Sequence, residues 1–349
     1  QIDEPDLSMR NEHLAVQLDP KNGAIRSLLE KRTGRELLDE SRPAFPALRG
    51  KPNASYPLQK EIPSLYDSSS SKAEIGWLER GPVRAVLRAR HRLPHLVFET
   101  RVVLEARSPR VEVISRVLAS VPPAPDAAPA DIKEGYWLSF APGFQAESII
   151  RDFPLAIEST TNPWFHALTF VDLVGKDRAL LVLHAGTQYF RNEEGGVLSN
   201  LIMREWESYF TKEYGWPRYA EYRHGLLPHG DRFTNADRLK ASAAFAQPLL
   251  CVVDRPHRGN LPASKSFLSV SPSSVLLSAF RKKEERGYEL RVVEVEGREA
   301  EAAIELGIPM TAAAETDLLG NQVGIVRRTG NSLAFKVGPW KIKTFEILG

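Results

Sequence analysis

A single cysteine, Cys251, in 349 residues rules out an internal disulfide framework and leaves packing to hold the chain together. It lies in the apolar run Leu249-Leu-Cys-Val-Val and is expected to be a buried strand residue. An excess of one charge is also missing. The 46 Lys and Arg against 44 Asp and Glu leave a formal net charge of +2, and the basic residues are scattered, which argues against nucleic acid as a partner. No stretch approaches the roughly 20 apolar residues that span a bilayer, and the start Gln1-Ile-Asp-Glu-Pro is acidic rather than leader-like. A soluble chain with no membrane partner is expected, with cytoplasm and export both open as its compartment. The first residue is glutamine, not methionine, which fits a piece of a longer polypeptide or a processed product. There is no Gly-rich phosphate loop, no Gly-x-Ser-x-Gly elbow and no His-Glu-x-x-His helix, so three familiar enzyme classes lose support.

What is present is β pattern, and a great deal of it. At 349 residues, 42% hydrophobic and 26% charged, the chain has an ordinary globular balance and divides most naturally into two β-rich units. Alternation of period two runs through His13-Leu-Ala-Val-Gln-Leu-Asp and Val83-Arg-Ala-Val-Leu-Arg-Ala-Arg-His. Asn22-Gly23 separates the first such run from the next, a hairpin signal that predicts direct pairing. Further strands are expected at 98–105, 111–119, 167–173, 179–184 and 197–203. The Pro- and Ser-rich stretch from Ala44 to Ser71 reads as a long surface excursion. One helix is expected near 235–247, capped by Asn235, with an apolar stripe of Leu239, Ala243 and Ala246. The breaker-rich Asp254-Arg-Pro-His-Arg-Gly-Asn-Leu-Pro then places a boundary near Gly259, giving units 1–258 and 259–349. Short strands follow at 275–277, 288–295, 300–306, 322–327, 332–337 and 341–347, the spacing of a small sandwich.

Chemistry is harder to find. His224, His229 and Asp231 invite a metal reading, but positions five apart on a strand point to opposite faces, so a structural turn is the better account. Aromatic residues gather at Trp164 and Phe165, then at Trp206, Tyr209, Phe210, Tyr214, Trp216, Tyr219 and Tyr222, beside Arg204, Glu205, Glu207 and Arg218. Such rings suit the C–H faces of sugars, and equally suit packing between sheets or against a neighbouring domain. Glu205, Glu207 and Asp172 stand in no context that marks them as the carboxylate pair of a glycosidase.

The segment Phe267-Leu-Ser-Val-Ser-Pro-Ser-Ser-Val-Leu-Leu-Ser-Ala-Phe-Arg-Lys-Lys-Glu, then Tyr288-Glu-Leu-Arg-Val-Val-Glu-Val-Glu-Gly-Arg and Glu315-Thr-Asp-Leu-Leu-Gly, resembles the closing β-sandwich of family 38 glycoside hydrolases, the retaining α-mannosidases. The resemblance extends back through Asn11-Glu-His-Leu-Ala-Val-Gln-Leu-Asp-Pro-Lys-Asn-Gly, Glu79-Arg-Gly-Pro-Val-Arg-Ala, Val171-Asp-Leu, Ala185-Gly-Thr-Gln-Tyr, Leu201-Ile-Met-Arg and Leu227-Pro-His-Gly-Asp, which occur in that family's order. It implies an all-β fold: a large antiparallel super-sandwich of the galactose-mutarotase-like kind followed by a small immunoglobulin-like β-sandwich. It further implies that the zinc site and the carboxylate nucleophile belong to an N-terminal α/β domain, followed by a three-helix domain, neither of which precedes Gln1. Those catalytic and helical domains would be this chain's partners, mannose-containing saccharides its ligands, and no catalytic residue, metal or cofactor is expected within it. Arg204, matching the family's "LlR" motif, is the first candidate for the rim of a sugar pocket, with Trp164, His166 and His229 behind it. Three functions compete: a noncatalytic platform of an α-mannosidase-like hydrolase, an independent carbohydrate-binding module using the aromatic cluster, and a mutarotase-like epimerase. The last requires His166, His184 or His229 to converge with an acid.

Overall fold

The computed structural model describes residues 6–52, 66–93, 96–119, 134–154, 156–204, 219–247, 249–256, 258–260, 262–283 and 287–349. Among them the strands form five sheets, and every pairing between strands is antiparallel. The chain divides into two compact units, Gln1–Arg232 and Phe233–Gly349.

The first unit is a sandwich of two large sheets, preceded by a four-stranded meander. The meander opens with Ser8–Arg10, Leu14–Leu18 and Ile25–Glu30, in which Leu14, Val16 and Leu18 turn inward at period two. The expected pairing across Asn22-Gly23 forms, though through the longer loop Asp19–Ala24, whose Asp19 carboxylate accepts the amides of Lys21 and Asn22. Gly23 has φ of 69°, and a Cβ there would lie 2.2 Å from the Cβ of Ala89. Both the left-handed backbone and the close approach require glycine.

The larger sheet has nine strands in the order Ala156–Ser159, Ser148–Phe153, Phe170–Val174, Ala179–Ala185, Tyr219–His229, Val111–Ala119, Leu96–Glu105, Arg84–Arg92 and Glu74–Arg80. The smaller runs Trp164–His166, Tyr189–Glu193, Val197–Arg204, Glu134–Phe140, Ala47–Pro52 and Tyr66–Asp67. Alternate residues of both, among them Phe98, Val113, Val182 and Leu226 from the larger and Leu48, Leu138, Phe190 and Leu198 from the smaller, meet in one buried cluster. Each such side chain contributes about 1.5–3 kcal/mol by leaving water. The second unit repeats the plan at smaller scale. Its four- and five-stranded sheets close over Leu290, Val292, Ile304, Leu333, Phe345 and Ile347.

The structure departs from the sequence reading in four places. The Ala44–Ser71 stretch is not simply a surface excursion: Ala47–Pro52 is an interior strand of the smaller sheet, with Phe45 and Leu48 buried, while residues 53–65 lie outside the described residues. Prolines on either side hide so short a strand from pattern reading. The helix Asn235–Ala246 is capped by Thr234, not Asn235, in a capping box with Asp237, and it buries Ala236, Arg238, Ser242 and Phe245 while Ala243 and Ala246 face solvent. It belongs to the second unit, so the division falls at 232/233 and not at 258/259. The Asn235 Nδ2 donates to the Val295 carbonyl at 3.0 Å, and the Ala236 amide donates to Glu296 at 2.8 Å. Finally, Leu249-Leu-Cys-Val-Val forms no strand: Cys251 is exposed, as are Leu249 at 99% and Val253 at 93%. An apolar run is buried only where a neighbouring strand or face receives it, and among the described residues none does so here.

Candidate functional site

The outer face of the six-stranded sheet gathers the rings that strand alternation turns away from the core. Phe165, between Trp164 and His166, points inward against Phe190, so its two neighbours point outward. Register sets Trp164 opposite Arg191 and His166 opposite Tyr189. Two strands further on, Trp137 lies opposite Leu201 and Arg49. The result is a connected aromatic shelf. Ring centroids are 5.5 Å apart for Trp164 and Tyr189, 5.7 Å for Trp164 and Trp137, and 5.1 Å for His166 and Tyr189. The Arg191 guanidinium sits 4.8 Å from the centre of the Trp164 ring, within cation–π range. Beside the rings, Arg49 pairs with Asp67 at 2.9 Å and with Glu193 at 3.7 Å. The Trp137 ring is itself buried, and its indole N–H has no acceptor among the described residues.

Of the residues singled out by sequence, Trp164 and His166 come together on this shelf. Arg204 ends a strand of the same sheet, its backbone paired with Gly135, and its side chain lies outside the described residues. Glu205, Glu207, Arg218 and the rings of Trp206, Tyr209, Phe210, Tyr214 and Trp216 also lie outside them. His229 is not brought to this face. It ends the Tyr219–His229 strand of the larger sheet, where Nε2 meets Asp172 Oδ1 at 2.9 Å and Nδ1 meets the Gly230 carbonyl at 2.9 Å. Its side chain is 5% exposed and that of Asp172 0%, so the pair converges without being open to a sugar. His224 points to the opposite face of that strand, into the interior against Phe140 and Asn200, as the five-residue spacing requires. Trp137, Tyr189, Arg191 and Arg49 were not anticipated. The signal was there in the alternation of Tyr189-Phe-Arg-Asn-Glu and Tyr136-Trp-Leu-Ser-Phe, but which parity faces outward is decided by tertiary packing.

The interior between the sheets holds two facing histidines, His184 and His224, paired in register. Burial pulls His184 down to about 4, partly offset by nearby Asp152, and His224 to about 3, helped by His184 itself. Neither ring nitrogen of His184 has a hydrogen-bond partner among the described residues. Asp152 is held differently, accepting the amides of Leu168, Thr169 and Phe170 and the Thr169 hydroxyl. Among the described residues, no group of three or more His, Cys, Asp and Glu side chains converges in a way that could hold a metal ion. No helix there is long and apolar enough to cross a membrane.

Comparison with known proteins places this architecture. Residues 9–124 match the family model described as the glycosyl hydrolases family 38 C-terminal domain, and residues 274–345 match that of the family 38 C-terminal beta sandwich domain. The chain belongs to the C-terminal region of glycoside hydrolase family 38. The two family 38 matches fall in the two units in turn, the first within the large sandwich and the second within the small one. Among solved structures, an alpha-mannosidase from Enterococcus faecalis V583 superposes with a TM-score of 0.77 at 14% identity, covering 98% of this chain and 42% of that one. A protein in glycosyl hydrolase family 38 from Enterococcus faecalis superposes with a TM-score of 0.78 at 15% identity, covering 98% of this chain and 44% of that one. This chain therefore spans less than half the length of either, and at such identity the likeness is one of fold. No curated protein matches the sequence.

Proposed function

We propose that this chain is the noncatalytic supporting region of an α-mannosidase-like hydrolase of family 38. In this reading the aromatic shelf of the six-stranded sheet receives the catalytic portion and lends side chains to the rim of a sugar pocket. The observation that carries it is the shelf itself. Half-buried Trp164 and Tyr189 lie tilted against each other over the buried Trp137 ring, with Arg191 over Trp164 and the Trp137 indole N–H without an acceptor among the described residues. Interfaces favour Trp, Tyr and Arg in this arrangement. The family's zinc fits no group of side chains here: His229 has both ring nitrogens engaged, and no three ligands converge among the described residues.

The test is an assay of the 349-residue chain on aryl α-mannosides with added zinc. No turnover above buffer is expected. Turnover abolished by a point change within the chain, for example Asp172→Asn, overturns the reading. The same rings favour a second reading, an independent carbohydrate-binding module, because ring faces beside Arg191 and Arg49 suit sugar C–H faces and hydroxyls. Calorimetry distinguishes it: saturable mannose binding that disappears in Trp164→Ala assigns the shelf to sugar directly.

A further inference from the structure

We propose that a cleft beneath the Asp19–Ala24 loop binds a neutral polyhydroxylated ligand of mono- or disaccharide size, apart from the aromatic shelf. The cavity holds about 450 Å³, within the roughly 300–1,000 Å³ of ligand clefts. It lies next to the Phe45 end of the Ala47–Pro52 strand, whereas Arg204 is level with the other end two strands across, Gly135 pairing with both Arg204 and Lys51.

Its charges are what select the ligand. Asp19, Asp39 and Glu40 line it together with Arg26 and Arg42. An anion would face three carboxylates, and a cation would face two guanidiniums. A neutral polyol avoids both conflicts, because each hydroxyl donates to a carboxylate and accepts from a guanidinium. These groups are also available. Among the described residues, neither the Arg26 guanidinium nor the Glu40 carboxylate has a hydrogen-bond or ion-pair partner inside the protein. Arg42 gives one Nη to the Gly195 carbonyl, and its Nε is buried without an acceptor. Asp19 accepts from the Lys21 and Asn22 amides through Oδ1, and Asp39 from the Ser41 amide and hydroxyl through Oδ1, which leaves each Oδ2 without a partner among the described residues. Ser41 also holds the Asp39 carboxyl below the usual range, so it remains an acceptor.

The walls are preorganised. The Asn22 side chain spans the loop, donating to the Ser69 carbonyl at 3.1 Å and accepting from the Ala24 amide at 2.9 Å, and the Ile25 amide donates to the Phe45 carbonyl at 2.7 Å. Buried Ile25 and Phe45 supply an apolar floor for a sugar's C–H face.

Calorimetry or chemical-shift titration of the full chain with mannobiose and maltose tests the site, with inorganic phosphate and spermidine as anionic and cationic probes. Saturable binding of a disaccharide is expected, with a dissociation constant on the order of 1 mM. Arg26→Ala and Glu40→Ala should each weaken it about tenfold, the effect of one charge-assisted hydrogen bond. Neither side chain has a partner among the described residues, so both variants should keep the parent's melting temperature. Trp164→Ala on the shelf should leave the affinity unchanged. The proposal is overturned by absence of saturable disaccharide binding, by binding that survives both cleft variants, or by tighter binding of phosphate or spermidine.

Discussion

His184 and His224 show how a single residue type sets the acid limit of the large sandwich. Unfolded histidines titrate near ~6.5. In the folded unit, burial lowers His184 to about 4 and His224 to about 3. Above pH ~6.5 both forms are neutral in either state and contribute nothing to the pH dependence. Below it the unfolded chain takes up protons that the folded chain refuses, so stability falls with decreasing pH until the folded values are reached. Each group should remove about 1.4 kcal/mol per pH unit across that window. Urea unfolding followed at pH 7 and pH 5 should show the loss, and His184→Gln should remove about half of it. An equally steep acid dependence in that variant would place the cause elsewhere. At this scale the sequence revealed little. His224 reads as a metal ligand or as part of a structural turn, and only the register that sets it against His184, Phe140 and Asn200 places it in the core.

Elements were more legible, for a reason that also marks the failures. Val111–Ala119, Ala300–Leu306 and Ser332–Val337 lie where alternation puts them because each has one buried face and one wet one. Ala47–Pro52 and Glu134–Phe140 went unseen, being short and flanked by prolines or by residues without period. The shelf was half legible. Trp164 and His166 stood out as residue types, while Trp137, Tyr189 and Arg191 join them only through cross-strand register. The helix lies where its composition puts it, with Thr234 and not Asn235 as its cap. Thr234 accepts from the Asp237 amide at 3.2 Å, and Asp237 accepts from the Thr234 amide at 3.0 Å. Thr234→Ala should destabilise the second unit by about 1 kcal/mol in denaturant unfolding, and Thr234→Ser should restore most of it. An unchanged midpoint in Thr234→Ala would show that the cap is idle.

For the whole molecule, the boundary is the quantity at issue. Breaker residues after Asp254 read as a linker, yet the compact unit starts at Phe233 because the helix start is tied to Val295 and Glu296. A fragment spanning 233–349 should therefore unfold at higher urea concentration than one spanning 259–349. The two lost hydrogen bonds are worth about 1 kcal/mol each. Equal midpoints would separate the helix from that unit.

The run Leu249–Val253 has a consequence for how the protein behaves in company. Five apolar residues in succession, most of them almost fully solvated, form an uncharged adhesive strip on every copy. A formal net charge of +2 offers little mutual repulsion to keep copies apart. Segments of this composition seed strand pairing between molecules. The usable concentration of the isolated chain is thus governed by whatever shields that strip, and crowding should cause precipitation well before either unit loses its fold.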